Sequence, residues 1–292
     1  MADFNLIDEP WVPCVDADGH CIEYGIRDTL LKAHALHEIH DDSPLVTVAL
    51  HRLLLALLFR ARKGPTNMEE WRSLYERETL GGDARIDEYL ERWHNRFFLF
   101  DDRCPFMQVG GLDLNDSDDG LMRLVREAPD KGGRILFDHR TGIDRKEYSC
   151  KQIARMLLSA QSYSGTGVAS KGRVGTQQIE PPNCQFAPCV EGAVVWLQGR
   201  SLFHTLLLNL VPREYDVNDR PAWEDDKVVT RAIESWTDGP APIGPVQRFA
   251  PLSRFIRILD HRAMFFTNGL KVRADSRDPM MAYIREDEKQ EY

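Results

Sequence analysis

Ser43-Pro44-Leu45-Val46-Thr47-Val48-Ala49-Leu50-His51-Arg52-Leu53-Leu54-Leu55-Ala56-Leu57-Leu58-Phe59-Arg60-Ala61-Arg62-Lys63-Gly64-Pro65 reads as one helix with both ends marked. Ser43 is an N-cap residue whose hydroxyl can accept from a first-turn amide, and Pro44 stands where its missing N–H costs nothing. Gly64-Pro65 stops the pattern. Leu45, Val46, Val48, Leu50, Leu53, Leu54, Leu55, Leu57, Leu58 and Phe59 cover most of the circumference and not a single stripe. A helix that is apolar all round has to be wrapped by the rest of the protein. The sequence therefore predicts a central buried helix to about Arg62. Its most apolar part, Leu53 to Phe59, is far too short to span a bilayer.

On the N-terminal side, residues 4–26 predict β structure, with Asp16-Ala17-Asp18-Gly19 as a turn between Val12–Val15 and His20–Ile26. A helix is expected from Arg27 to about Leu36. On the C-terminal side, helices are expected at 67–78, 83–97, 121–127, 149–161 and 200–210. Residues 111–120, 138–147, 162–176, 211–226 and 238–251 predict loops, rich in Asp, Gly, Ser or Pro. Ala193–Gln198 alternates weakly like a strand, and Phe255–Leu259 with Ala263–Thr267 predict a hairpin. Helices mixed with local hairpins indicate an α+β fold and not βαβ winding.

The chain has 292 residues, 42 % hydrophobic and 28 % charged, enough for one large or two small domains of ordinary composition. The opening Met-Ala-Asp-Phe-Asn-Leu-Ile-Asp has neither a basic nor an apolar leader region, so the expected compartment is the cytoplasm. Six cysteines include no C-x-x-C pair. Cys184 and Cys189 lack the second pair or histidine that a zinc site needs, so unpaired thiols and no metal are expected.

Net charge is −9, but it is unevenly spread. Between Lys131 and Gly175, nine Lys or Arg stand against Asp138, Asp144 and Glu147, a local surplus of six positive charges on an otherwise acidic chain. Such a segment can touch a phosphate backbone at chosen points while the acidic body weakens indiscriminate binding. It can also be an ordinary solvated surface.

Several chemistries fail on spacing. Asp113 to Gly120 resembles a calcium loop, but a register that puts Gly120 at position six puts Arg126 where a bidentate Glu belongs. His34, His37 and His40 are spaced to line one helix side, without further ligands. There is no G-x-S-x-G and no H-E-x-x-H. The segment Ser162-Tyr163-Ser164-Gly165-Thr166-Gly167-Val168-Ala169-Ser170-Lys171-Gly172-Arg173 lets a backbone approach another surface closely and carries cations at its end. It lacks the G-K-[ST] ending of a nucleotide loop. By chemistry alone it is a phosphate- or groove-contacting loop or a linker.

Four short stretches resemble the CasA family, large subunits of the type I-E CRISPR surveillance complex called Cascade. They are Asn5-Leu6-Ile7-Asp8-Glu9-Pro10-Trp11-Val12-Pro13, Cys104-Pro105-Phe106-Met107-Gln108, Asp219-Arg220-Pro221-Ala222-Trp223-Glu224 and Asp278-Pro279-Met280-Met281-Ala282-Tyr283. Each is short; four in the family's order are specific. The resemblance implies a non-catalytic subunit that senses a protospacer-adjacent motif in duplex DNA while guide pairing reads the rest. By position it implies that Phe137, Asp138, His139 and Arg140 belong to a loop docking near the crRNA 5′ end. It implies that Gly165, Thr166, Gly167, Val168, Ala169 and Ser170 form a glycine loop approaching the motif from the minor groove, flanked by Lys171 and Arg173. Arg254 and Arg257 are the candidates for a basic contact near the late hairpin. Implied partners are other Cascade subunits, crRNA, double-stranded target DNA and a recruited nuclease-helicase, with no membrane and no cofactor. Residues 1–292 would form the family's N-terminal α+β domain, and the C-terminal helical bundle of relatives is not in this chain. Two other readings stay open: a soluble enzyme binding a phosphorylated ligand through Gly165–Arg173, and a scaffold whose basic segment meets RNA or another subunit only.

Overall fold

The computed structural model describes residues 4–116, 118–127, 146–165, 167–183, 186–190, 192–238, 243–271 and 278–282. The fold is α+β, as expected. In chain order the elements are β1 (Val12–Asp16), β2 (Cys21–Tyr24), α1 (Ile26–Leu31), β3 (Leu36–Ile39), α2 (Pro44–Arg62), α3 (Met68–Tyr75), α4 (Ala84–Trp93), β4 (Leu112–Leu114), β5 (Asp119–Gly120), α5 (Cys150–Tyr163), β6 (Gly172–Val174), β7 (Gln177–Ile179), α6 (Leu202–Asn209), α7 (Val228–Asp238), α8 (Pro245–Phe249), β8 (Arg254–Ile258) and β9 (Ala263–Asn268). The strands form three small antiparallel sheets, ordered β2-β1-β3, β4-β6-β7 and β5-β9-β8. The late hairpin pairs Arg254 with Asn268 and Ile258 with Met264.

The central helix is where the sequence puts it. Ser43 Oγ accepts from the Val46 amide, Pro44 is at the first helical position, and Lys63 ends the helix in the left-handed region. Fourteen of the nineteen residues of α2 are buried. By length and hydropathy this helix could cross a membrane; here α5, α8 and α4 pack around it instead.

Three of those fourteen are polar: His51, Arg52 and Arg60. Arg52 is 1 % exposed on its side chain and meets both oxygens of Asp278 at 2.9 and 2.7 Å, with a third bond to the Arg248 carbonyl at 2.6 Å. Two turns on, Arg60 binds Glu224 at 2.7–2.9 Å and the Tyr215 hydroxyl at 2.6 Å. Tyr89 donates to the same carboxylate, and Trp223 donates to Tyr89. Asp278 and Glu224 lie in two of the four family-like stretches. The other two are also built into the core. Trp11 donates to the Leu6 carbonyl at 2.8 Å. Phe106 stacks on Phe97 and Trp223, and Gln108 joins the Leu99 carbonyl to the Ile258 amide.

Other elements differ from expectation. The helix expected to Leu36 ends at Leu31, and β3 pairs with β1 beyond it. His34, His37 and His40 therefore share no helix face: His34 lies in a 3-10 turn and His37 on β3. The polar 111–120 segment holds β4 and β5, with Asp113 bound to Arg173 and Asp119 to Arg123. Residues 121–124 form a 3-10 turn, α7 lies where the sequence marks no element, and α8 interrupts the expected 238–251 loop. Ala193–Gln198 makes only an isolated bridge, Val194 to Met281. The five described cysteines are free, and burial raises Cys14 to about 12 and Cys189 to about 11, so neither thiol is a ready nucleophile.

Removing Asp278 leaves a guanidinium buried without its counter-charge. Asp278→Ala is expected to cost about 3–5 kcal/mol in urea unfolding, and Arg52→Met in the same chain should recover much of it. A loss below about 1 kcal/mol for the single variant would mean that water reaches Arg52.

Candidate nucleic-acid interface

The glycine-rich loop begins where α5 stops. Ser149 caps the start of α5 in a reciprocal capping box with Gln152, and Ser164 caps its end, donating its hydroxyl to the Ala160 carbonyl at 2.6 Å. Gln161, one turn earlier, is 1 % exposed and fastens the helix to β8. Its Nε2 donates to the carbonyls of Met107 at 3.0 Å and Arg254 at 2.9 Å, and its Oε1 accepts from the Arg254 amide at 2.9 Å. Ser253 Oγ adds a bond to the Gln161 carbonyl.

The loop itself is held at both ends. Arg254 Nη2 donates to the carbonyls of Ser164 at 2.9 Å and Gly165 at 2.8 Å. At the far end Thr267 Oγ1 donates to the Ser170 carbonyl at 2.7 Å, and the Ala169 amide donates to Asn183 Oδ1 at 2.8 Å. Between these anchors Gly165 and Gly167 are exposed, and Val168 is 81 % exposed, a large apolar side chain standing in solvent. Thr166 lies outside the described residues.

The glycines of this region are not alike. A Cβ on Gly172 would sit 2.2 Å from the Asp113 carbonyl oxygen, because β4 and β6 run together there. A Cβ on Gly165 or Gly167 would meet nothing within 4 Å, and neither has a positive φ. Gly172 is needed by the fold. Among the described residues, neither packing nor backbone conformation requires Gly165 or Gly167 to be glycine.

The cations behave differently from their linear count. Lys171 pairs with Glu180 at 2.6 Å and Arg173 with Asp113 at 2.6 Å, all on the exposed surface. Lys151 and Arg155 both reach Glu23 on β2. The described part of the basic segment is thus largely answered by acids from elsewhere. Arg254 is 1 % exposed, and burial, with Arg126 and Arg123 nearby, lowers its pKa to about 9, leaving it charged near neutral pH. It supports the loop from inside and presents no free face to a ligand. Arg257 is half-buried and donates to the Leu112 carbonyl at 3.2 Å. The structure thus brings Arg254 to the root of Gly165–Ser170 and turns Arg257 toward β4. Phe137, Asp138, His139 and Arg140 lie outside the described residues. Gln161, Asn183 and Thr267, which anchor the loop, carry no pattern in the sequence that marks them.

Residues 5–292 match the family described as CRISPR-associated protein Cse1. The CasA/Cse1 protein of Thermus thermophilus is 34 % identical over 284 residues, which are 96 % of this chain and 54 % of that protein. The crystal structure of Thermus thermophilus CasA matches with a TM-score of 0.78 at 32 % identity, over 96 % of this chain and 55 % of that one. A chain of a CRISPR RNA-guided surveillance complex has the same fold, with a TM-score of 0.80 at 18 % identity, over 100 % of this chain and 60 % of that one. The chain spans about half the length of the curated relative it matches. A match across nearly every residue, together with the Thermus likeness in both sequence and fold, places this chain in the Cse1 (CasA) family of CRISPR-associated proteins.

Proposed function

We propose that this chain acts within the large subunit of a type I-E CRISPR surveillance complex and recognises the protospacer-adjacent motif in double-stranded target DNA. One observation carries the reading. Gly165 and Gly167 precede an exposed Val168 on a loop fixed at both ends, and nothing among the described residues requires their lack of a Cβ. A main chain without side chains can enter a minor groove about 6 Å wide. An apolar tip such as Val168 suits the base-step contacts that minor-groove proteins make. Lys171 and Arg173 can turn from Glu180 and Asp113 to flanking phosphates, because exposed ion pairs are weak and exchange partners readily.

The subunit is non-catalytic in this reading. Guide pairing reads the sequence, other subunits and the crRNA 5′ end are met near Phe137–Arg140, cleavage falls to a recruited nuclease-helicase, and the setting is the cytoplasm. Binding a phosphorylated metabolite through Gly165–Arg173 is disfavoured by geometry. Phosphate loops lead into a helix N-terminus, whereas this loop leaves the C-terminus of α5, the end with partial negative charge.

Three variants of the full-length protein, assembled with its complex, test the assignment. Gly167→Asp adds bulk and negative charge at the tip and should reduce binding most on duplexes with a good motif. Unchanged discrimination in a gel-shift series would make the loop a linker. Lys171→Ala should weaken all duplexes alike and lower the log–log salt slope by about one. Glu180→Gln should act in the opposite sense, strengthening all duplexes by up to about fivefold, as expected from releasing a surface-paired lysine.

A further inference from the structure

A cavity of about 370 Å³ opens where the last turns of α2 and α4 meet the 215–224 segment, away from the loop just described. Arg60, Lys63, Arg92 and Arg220 line it, with the rings of Trp93 and Tyr215, and Glu224 is the one carboxylate in the lining. Its floor is electrically settled: Arg60 covers Glu224, and Tyr89 donates to it at 2.6 Å. Its rim is not. Among the described residues, no carboxylate lies within ion-pair distance of Lys63, Arg92 or Arg220, whereas Arg27, Arg62, Arg96, Arg155 and Arg200 each reach one. Arg92 lies over the Trp93 ring, 5.6 Å from its centre, and Arg220 donates to the Val217 carbonyl at 3.1 Å.

Two mundane duties are insufficient to explain this rim. The carbonyl ends of α2 and α4 attract cations, but each is worth only about half a negative charge, so together they offset about one of the three. Nor, among the described residues, does the fold give the Arg220 charge a partner beyond the Val217 carbonyl. Arg220 is the exposed member of a stretch whose neighbours Asp219, Trp223 and Glu224 are anchored inside, with Asp219 capping the Val246 and Gln247 amides. On a chain of net charge −9, three unanswered cations beside two half-buried rings mark a site for an anion with a flat apolar part.

A nucleotide within a strand has that chemistry. Its phosphodiester suits guanidinium and ammonium groups, and its base suits an aromatic face. In a duplex both faces of a base are already stacked, and a hole of 370 Å³ is near the lower end of small-ligand cavities, too small for a base pair with its backbones. We propose that this cavity binds single-stranded nucleic acid, with one phosphodiester on Lys63, Arg92 and Arg220 and one unpaired base stacked on Trp93. This site is independent of the glycine loop and does not rest on its assignment.

The test is fluorescence anisotropy of the full chain with labelled oligothymidylate, oligouridylate and a short duplex, with thermal melts recorded for every variant. Single strands should bind more tightly than the duplex, and a preference between the two homopolymers tells DNA from RNA as the source. Arg92→Glu with Arg220→Glu, both exposed positions, should weaken single-strand binding about tenfold or more and flatten its salt dependence. Trp93→Ala should weaken it about fivefold or more while leaving inorganic polyphosphate, which has no base, unaffected. Trp93→Phe, the safer variant for folding, should keep the affinity and lose the tryptophan quenching that the oligonucleotide causes. Duplex binding as tight as single-strand binding, unchanged affinity in the folded charge-reversal variant, or quenching that persists in Trp93→Phe would each overturn the proposal.

Discussion

Arg52 lies on the central helix with 1 % of its side chain exposed, and the carboxylate that answers it, Asp278, is 226 residues further along the chain. A lone guanidinium in an apolar interior is untenable, so the packing around α2 is complete only when that distant segment arrives. Arg60 and Glu224 repeat the arrangement over 164 residues. The central helix is therefore clamped at two points by chain that is made much later. At about 5–20 residues per second, Arg52 waits on the order of ten seconds or more for its partner during synthesis.

The same logic of distant polar fastening places the loop. Gln161 joins α5 to β8 and to the Met107 carbonyl, and Arg254 then reaches through to the Gly165 carbonyl. The loop tip is exposed, but its root belongs to the buried framework. A small second apolar cluster, including Leu112, Ile179, Leu252 and Phe255, joins the β4-β6-β7 sheet to α7 and β8. The tip therefore projects from a packed base and not from a free tether.

The α+β class, the central helix with its cap, α5 and the late hairpin are legible in the sequence, because each has a local cause: an N-cap, a Pro at N1, a period of apolar residues, a turn between two alternating runs. The sequence misleads where the cause is remote. Leu36–Ile39 is too short and polar to declare itself a strand and exists because β1 offers an edge. Charge counted along the chain shows a basic segment, yet Glu23, Asp113 and Glu180, which answer it in space, lie outside that count. The resemblance offers Arg254 as a candidate contact, but its burial beneath the loop has no local sign in the sequence. The family-like stretches are legible as signatures; their duties as partners of Arg52 and Arg60 are not, since a buried arginine and its acid share no sequence neighbourhood.

Gly167 and Gly172 are five residues apart and answer to different authorities. A side chain at Gly172 collides with the backbone of β4, so the variant loses stability, and cells remove such chains through their proteases before any binding can be judged. A side chain at Gly167 meets nothing among the described residues, so the variant is expected to accumulate like the parent. Cellular quality control is blind at that position. The tip can drift in sequence without loss of abundance, so any constraint on its size has to act through binding and not through folding.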